Sequence, residues 1–113
     1  MLLEDMFVNV DVEQIPKFTK IAGVSFYDRQ QLIEQIKVGD ILKLKRDYKN
    51  EHDKFAIGVY ANNNHIGWIP KYISEKLAWE LDCGLKWVVQ VMDITGQDKE
   101  TKGVNIQLLY INK

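Results

Sequence analysis

Short runs of alternating apolar and polar residues, separated by turn signals, constrain the fold of this chain most strongly. In Ile41–Arg46, leucines alternate with lysines, as in a strand with one buried face and one basic outer face. Similar runs predict strands over Phe18–Val24, Ile41–Arg46, Ala56–Ala61, His65–Ile69, Lys86–Thr95 and Val104–Asn112, with a further candidate at Met6–Val12. We expect the buried side of these strands to include Leu42, Leu44, Ile57, Val59, Ile106 and Leu108.

Turn residues and two helical patterns complete this outline. Three consecutive asparagines at 62–64 predict a hairpin turn, because asparagine tolerates positive φ. Apolar residues at helical spacing predict helices over Tyr72–Asp82 and Arg29–Ile36. Ser74 is a candidate cap for the longer helix, and Gly84 a candidate left-handed stop.

About six short strands and two short helices predict a mainly β fold in a single domain, residues 1–113. A small closed or nearly closed barrel is favoured, because closure leaves few unpaired strand edges. Strands do not alternate regularly with helices, which argues against a doubly wound parallel sheet. Residues 1–16 hold four acidic and no basic residues, so they form an acidic N-terminal extension or an extra strand.

The composition favours a protein that stays in the cytoplasm. Cys83 is the single cysteine, so no disulfide can form within the chain. The N-terminal residues show no secretory pattern, and no apolar run approaches the roughly 20 residues that span a bilayer. Residues 17–54 hold nine basic and six acidic residues. A central basic stretch agrees with a nucleic-acid surface and equally with a solvated charged face.

Catalysis and metal binding find little support in the sequence. The chain has two histidines and one cysteine, and none shows the spacing of a metal site. His52 beside Asp53 would need a loop conformation to act as a base and its orienting partner. Cys83 ends an apolar helix, where we expect a packing thiol. We therefore expect no cofactor, no structural metal and no enzymatic activity.

The segment Lys43–Ala56 collects several interaction chemistries in one place. It holds the cationic side chains of Lys43, Lys45, Arg46 and Lys49, the flat ring of His52 and the carboxylate of Asp53. Farther along, Trp68 and Lys71 flank a proline where a strand ends. Rings interleaved with cations suit single-stranded nucleic acid, because bases stack and phosphates pair. A solvated hairpin loop explains the same residues, and Trp68 is equally suited to a core position.

Taken in order, these motifs resemble the HIRAN domain family. The resemblance covers roughly residues 18–85 and, more loosely, the final hairpin. Its parts are Ile21-Ala22-Gly23-Val24, Phe26-Tyr27, Asn50-Glu51-His52-Asp53 with Ala56-Ile57-Gly58-Val59, and Ile66-Gly67-Trp68-Ile69-Pro70. The resemblance implies a modified OB-like barrel. It also implies the role the domain has in DNA-repair remodelling ATPases, where it captures the free 3′ end of single-stranded DNA.

The same resemblance assigns roles to individual residues. Asp53 matches the acid that accepts a hydrogen bond from the 3′ hydroxyl, and Asn50 a polar contact in the same loop. His52 stands where the family often has a tyrosine that stacks on the terminal base. Phe26 matches an aromatic position of the binding groove, and Tyr27 lies beside it in the sequence. Trp68 and Lys71 match two further groove positions, of which the lysine faces phosphate. Ser25 departs from the family pattern, because it replaces an arginine that helps to hold DNA.

Two functions of other classes remain open. One is a protein-interaction module whose groove holds a peptide or an acidic tail. The other is an adaptor whose strand edges pair with a larger helicase or nuclease. The hypothesis that the chain binds single-stranded DNA requires Asp53 and His52 to face one open groove with Phe26 and Lys71.

Overall fold

The computed structural model describes residues 15–26, 28–96 and 101–111. Its six strands are β1 (Phe18–Lys20), β2 (Ile41–Arg46), β3 (Ile57–Ala61), β4 (Asn64–Trp68), β5 (Lys86–Thr95) and β6 (Gly103–Ile111). Helix α1 (Arg29–Ile33) lies between β1 and β2, and helix α2 (Lys71–Asp82) between β4 and β5. Tyr27 and the candidate strand Met6–Val12 lie outside the described residues.

The strands form one antiparallel sheet in the order β1-β6-β5-β2-β3-β4, which curls until its two ends meet. Ala22, just beyond β1, exchanges backbone hydrogen bonds of 2.7 and 2.8 Å with Trp68 at the end of β4. This seam needs Gly67, since a Cβ there would lie 2.4 Å from Ile21 Cγ2 and 2.6 Å from the Ala22 carbonyl oxygen. The predicted mainly β, barrel-like fold with two helices is confirmed.

The core fills the inside of this curled sheet. Its fully buried side chains include Ile57, Val59, Val89, Val91 and Ile106. Helix α2 covers one opening with Ile73, Leu77 and Ala78. Five of the six predicted core residues are buried, but Leu44 is only half-buried. Its position explains the difference, because burial along β2 decreases from Leu42 toward the loop that follows.

Several element boundaries differ from the sequence prediction. The first strand ends at Lys20 instead of Val24, because Ala22 no longer pairs with β6 but with Trp68 of β4. Gly23, with a φ of +72°, then turns the chain. The first helix ends at Ile33, three residues before its predicted end. Strands β3, β4 and β6 are each shifted by one residue at one or both ends. The hairpin turn at Asn62 and Asn63 is confirmed, with φ values of +49° and +75°.

At each end of α2, one residue has a different role from the one that the sequence predicted. Ser74 does not cap the helix: Pro70 is the N-cap residue, and the buried Ser74 hydroxyl donates to the Lys71 carbonyl over 3.3 Å. Gly84 does supply the left-handed stop, with a φ of +90°. The packing role expected for Cys83 is wrong, because its thiol is exposed beside that stop.

Two further findings apply to the described residues only. None of their helices combines the length and apolar character needed to cross a membrane. No group of three or more histidine, cysteine or acidic side chains among them is arranged to hold a metal ion.

Candidate functional site

An open groove of about 520 Å³ lies where four segments meet: the β1–α1 connection, the β2–β3 loop, the end of β4 and the start of α2. We call it the main groove. Six of the seven predicted site residues line it: Phe26, Asn50, His52, Asp53, Trp68 and Lys71. The seventh, Tyr27, lies outside the described residues. The structure therefore brings together side chains that are up to 45 positions apart in the chain.

The β2–β3 loop presents its polar groups through side-chain to backbone hydrogen bonds. Asn50 Oδ1 accepts the backbone N–H groups of His52 and Asp53, both at 2.9 Å. Asp53 Oδ1 accepts the Phe55 backbone N–H, also at 2.9 Å. Such Asx-type bonds stabilise a loop locally. They hold His52 exposed and Asp53 half-buried at the groove.

The two carboxylate oxygens of Asp53 consequently have different surroundings. Its Oδ1 stabilises the loop, whereas Oδ2 accepts no hydrogen bond from the described part of the chain. A carboxylate oxygen carries lone pairs that suit a hydroxyl or N–H donor. The loop-forming role and the groove-facing role are thus compatible in one side chain.

Trp68 and Gly23 form the floor of the main groove. A Cβ at position 23 would lie 3.1 Å from Trp68 Cδ1 and 3.3 Å from Arg29 Nη1. Together with its φ of +72°, this close approach makes glycine the fitting residue there. Trp68 is half-buried, so it contributes both to the core and to the groove surface.

Arg29 is a groove residue that the sequence analysis missed. It is nearly buried, donates from Nη1 to the Gly23 carbonyl over 2.9 Å, and lies 6.0 Å from the Trp68 ring centroid. Arginine at the first position of a short amphipathic helix has the pattern of a solvent-facing residue. Only the folded connection between β1 and α1 turns it toward the groove.

His65 lies beneath Trp68, with the two rings edge to face at 4.4 Å. Its Nδ1 faces Arg29 Nη2 at 3.3 Å, so the neutral imidazole accepts from the guanidinium. Burial, and then the nearby charge of Arg29, lower the pKa of His65 from its ordinary value of 6.5. The ring is therefore neutral at pH 7, and Arg29 is the cation beneath this side of the groove.

Lys71 is exposed at the first residue of α2, directly after the N-cap Pro70. The first turn of a helix has backbone N–H groups without intrahelical partners and a partial positive charge. The Lys71 ammonium group and the N-terminus of α2 therefore both favour an anion at this rim of the groove.

Arg46 does not have the role that the sequence suggested. It was expected to add to the basic charge of the segment, but its guanidinium is used within the protein. Nη1 donates to the Ala56 carbonyl over 2.8 Å, Nη2 to the Lys54 carbonyl over 3.1 Å, and Nε to Asp82 over 3.0 Å. Its exposed fraction is only 9%. The groove's cations are thus Lys71 and Arg29.

The fold and site together define a small antiparallel barrel with an open groove that combines rings, cations and one carboxylate. The sequence profile of the HIRAN domain matches residues 17–108. The chain therefore belongs to the HIRAN domain family. HIRAN domains are nucleic-acid-binding modules and not catalytic domains.

Two solved structures have the same fold. A crystal structure of a protein from Lactobacillus plantarum superposes with a TM-score of 0.72 at 21% identity, over 84% of this chain and 91% of that one. The crystal structure of the HIRAN domain of human HLTF gives a TM-score of 0.67 at 21% identity, over 82% of this chain and 72% of that one. No protein with a curated description matches this chain.

Proposed function

We propose that this HIRAN domain binds single-stranded DNA and takes the free 3′ end into the main groove. The observation that carries the proposal is the carboxylate of Asp53 in a groove that otherwise offers rings and cations. A carboxylate repels a phosphodiester, so it favours DNA only where the ligand presents a hydroxyl donor. In a nucleic-acid strand, the terminal 3′ hydroxyl is such a donor, and Asp53 Oδ2 is the acceptor for it.

The surrounding groups suit the rest of a terminal nucleotide. His52 and Phe26 are exposed, and Trp68 is half-exposed, so ring surface is accessible on several sides of the groove. Stacking on aromatic side chains contributes about 1–3 kcal/mol per base and tolerates any base. Lys71 and the start of α2 then take the phosphate on the 5′ side of the terminal sugar.

Ser25 modifies this proposal in one respect. It is exposed next to Phe26 and carries no charge, where related domains have an arginine. Arg29 lies on the groove floor and supplies a cation at this end, but its guanidinium is also bonded to Gly23. We therefore expect weaker binding than an exposed arginine at position 25 would give.

The test is a titration of the protein with oligonucleotides that differ only at the 3′ terminus. We expect clearly tighter binding of a free 3′ hydroxyl than of a 3′ phosphate, and no response to phosphorylation of the 5′ end. Equal affinity for free and blocked 3′ ends in the parent protein would contradict the proposal.

Asp53→Asn is the informative variant. The amide oxygen of asparagine can still accept the Phe55 backbone N–H, so the loop keeps its bond, while the acceptor for the 3′ hydroxyl is replaced by an N–H donor. We expect the preference for the free 3′ end to disappear without a large loss of stability. If Asp53 acts in the loop alone, the variant keeps the preference of the parent.

A peptide-binding module is the alternative of another class. The main groove is open, and Asp53, His52, Phe26 and Lys71 all line it, which is the arrangement that the DNA reading requires. The carboxylate also disfavours an acidic tail as the ligand. The proposal also includes a helicase or nuclease partner, a role in DNA repair and a cytoplasmic location. It further includes the absence of catalysis, which hydrolysis of nucleic acid by the purified protein would contradict.

A further inference from the structure

We propose that a second subsite for single-stranded DNA lies on β1, where it holds nucleotides on the 5′ side of the end in the main groove. The inference rests on the proposed function, because it extends the same strand. Each OB fold that binds single strands covers about 4–16 nucleotides. The main groove, at about 520 Å³, has the size of a small-molecule pocket. A longer contact therefore requires additional surface.

Tyr72 connects the main groove to β1. It follows Lys71 in α2, and its side chain is 69% exposed. Its hydroxyl forms a 2.5 Å hydrogen bond with the Thr19 hydroxyl on β1. Thr19 lies between Phe18 and Lys20, both exposed. A single strand of DNA that leaves the main groove past Lys71 and crosses the Tyr72 ring therefore meets β1 next.

A second cavity, of about 370 Å³, opens at this position. We call it the β1 cavity; its lining includes Phe18, Thr19, Lys20, Met92, Asp93 and Asn105. Phe18 is 60% exposed and Met92 41% exposed. An exposed ring beside an open cavity is a stacking platform of the kind that single-strand binders use.

Asn105 supplies a polar contact inside the β1 cavity. Its Oδ1 is buried and accepts no hydrogen bond from the described residues. A buried acceptor without a partner is costly, and a ligand N–H group would satisfy it. The exocyclic amino group of cytosine or adenine is such a donor. Thymine has the acceptor O4 at that position, and its only N–H donor is the N3–H group within the ring.

The charges around Asn105 orient the strand. Asn105 pairs with Lys20 on one side and with Asp93 on the other, so the three residues form a row across β1, β6 and β5. Phosphates favour the Lys20 side and avoid Asp93. The nucleotide backbone therefore follows β1, with its bases directed toward Phe18 and Asn105.

The test compares 3′-hydroxyl oligonucleotides of two and eight residues, as dC and as dT homopolymers. For the parent protein we expect tighter binding of the octamer than of the dimer, and of the dC octamer than of the dT octamer. Phe18→Ala should weaken octamer binding by about five-fold to about a hundred-fold, the loss of one stacked base, and leave dimer binding unchanged. Trp79→Ala, which removes an aromatic ring of similar exposure on α2, is the control and should change neither.

A second variant protects the test against misfolding of Phe18→Ala. Lys20→Ala should lower the slope of log affinity against log salt concentration by about 0.7 for the octamer and not for the dimer. Equal binding of dimer and octamer, or equal weakening of both by these variants, would refute the β1 subsite and leave the main groove intact. Absence of binding at either length would overturn the proposed function itself.

Discussion

Arg46 and Asp82 form an ion pair, with Nε and Oδ1 3.0 Å apart, that joins β2 to the last turn of α2. The same guanidinium donates to two backbone carbonyls of the β2–β3 loop, those of Lys54 and Ala56. These carbonyls lie just after Asp53. The groove carboxylate therefore lies in a loop that Arg46 anchors to the barrel and the helix together.

Arg46→Lys is expected to destabilise the protein, since one ammonium group cannot reproduce the three directions of the guanidinium fork. Hydrogen bonds to charged groups contribute about 1.5–3 kcal/mol each, so we expect the free energy of unfolding to fall by about 2–4 kcal/mol. Urea denaturation measures this change. Lys43→Met, at an exposed position of the same strand, is the control and should stay within about 0.5 kcal/mol of the parent. An unchanged midpoint for Arg46→Lys would show that the anchor contributes nothing.

Asp82 makes part of the stability dependent on acid pH. The Tyr48 hydroxyl, which donates to Oδ1 over 2.7 Å, and then Arg46 hold the pKa of Asp82 below its ordinary value of 3.8. A lowered folded-state pKa gives stability that is present above 3.8 and is lost as the pH falls through the folded value.

Tyr48→Phe tests this dependence, because it removes the first of the two causes. We expect the variant to be less stable than the parent at pH 5, with a difference that shrinks as the pH approaches 2. Urea denaturation across this range provides the measurement. Tyr72→Phe, whose hydroxyl contacts Thr19 and no described carboxylate, should differ from the parent by an amount independent of pH. A constant difference for Tyr48→Phe would contradict the assignment.

His65 should titrate below 6.5, because burial and then the charge of Arg29 lower its pKa. The lowered value means that its contribution to stability is complete above 6.5 and is lost as the pH falls through the folded pKa. An NMR titration of the two imidazoles measures it directly, with His52→Gln to assign the signals. A midpoint at or above 6.5 for His65 would mean that the ring is not held neutral by its surroundings.

The sequence predicted the fold better than it predicted the environment of single side chains. The predicted bounds of β2 and β5 match to the residue. Period-two burial is a local signal, which β2 carries at its start and β5 carries as far as Val91. The prediction missed the early end of β1, which depends on the Ala22–Trp68 seam, a contact between distant segments. The main groove followed from a family motif, whereas the internal use of Arg46 and the groove position of Arg29 depend on partners that no local pattern reveals.

Core truncations should separate fully buried from half-buried positions. Ile57→Ala removes a side chain with no exposed surface and should cost about 2–5 kcal/mol of unfolding free energy. Leu44→Ala, on the neighbouring strand, removes a half-buried side chain and should cost clearly less. Denaturation of both variants under one set of conditions decides the comparison. Equal losses would mean that the burial of β2 continues to its end.

Lys71→Ala should weaken the binding of every single strand to a similar extent, since a lysine that meets phosphate contributes charge and no information about the terminus. The slope of log affinity against log salt concentration should decrease by about 0.7, the value for one lost phosphate contact on a single strand. The preference for a free 3′ hydroxyl should persist, in contrast to Asp53→Asn. The control is Lys76→Ala, at an exposed position of the same helix that does not line the main groove. It changes the net charge of the protein by the same amount as Lys71→Ala and should leave the slope unchanged. A loss of end preference in Lys71→Ala would show that the lysine and Asp53 act on the same group of the DNA, and the division between charge and recognition would be wrong.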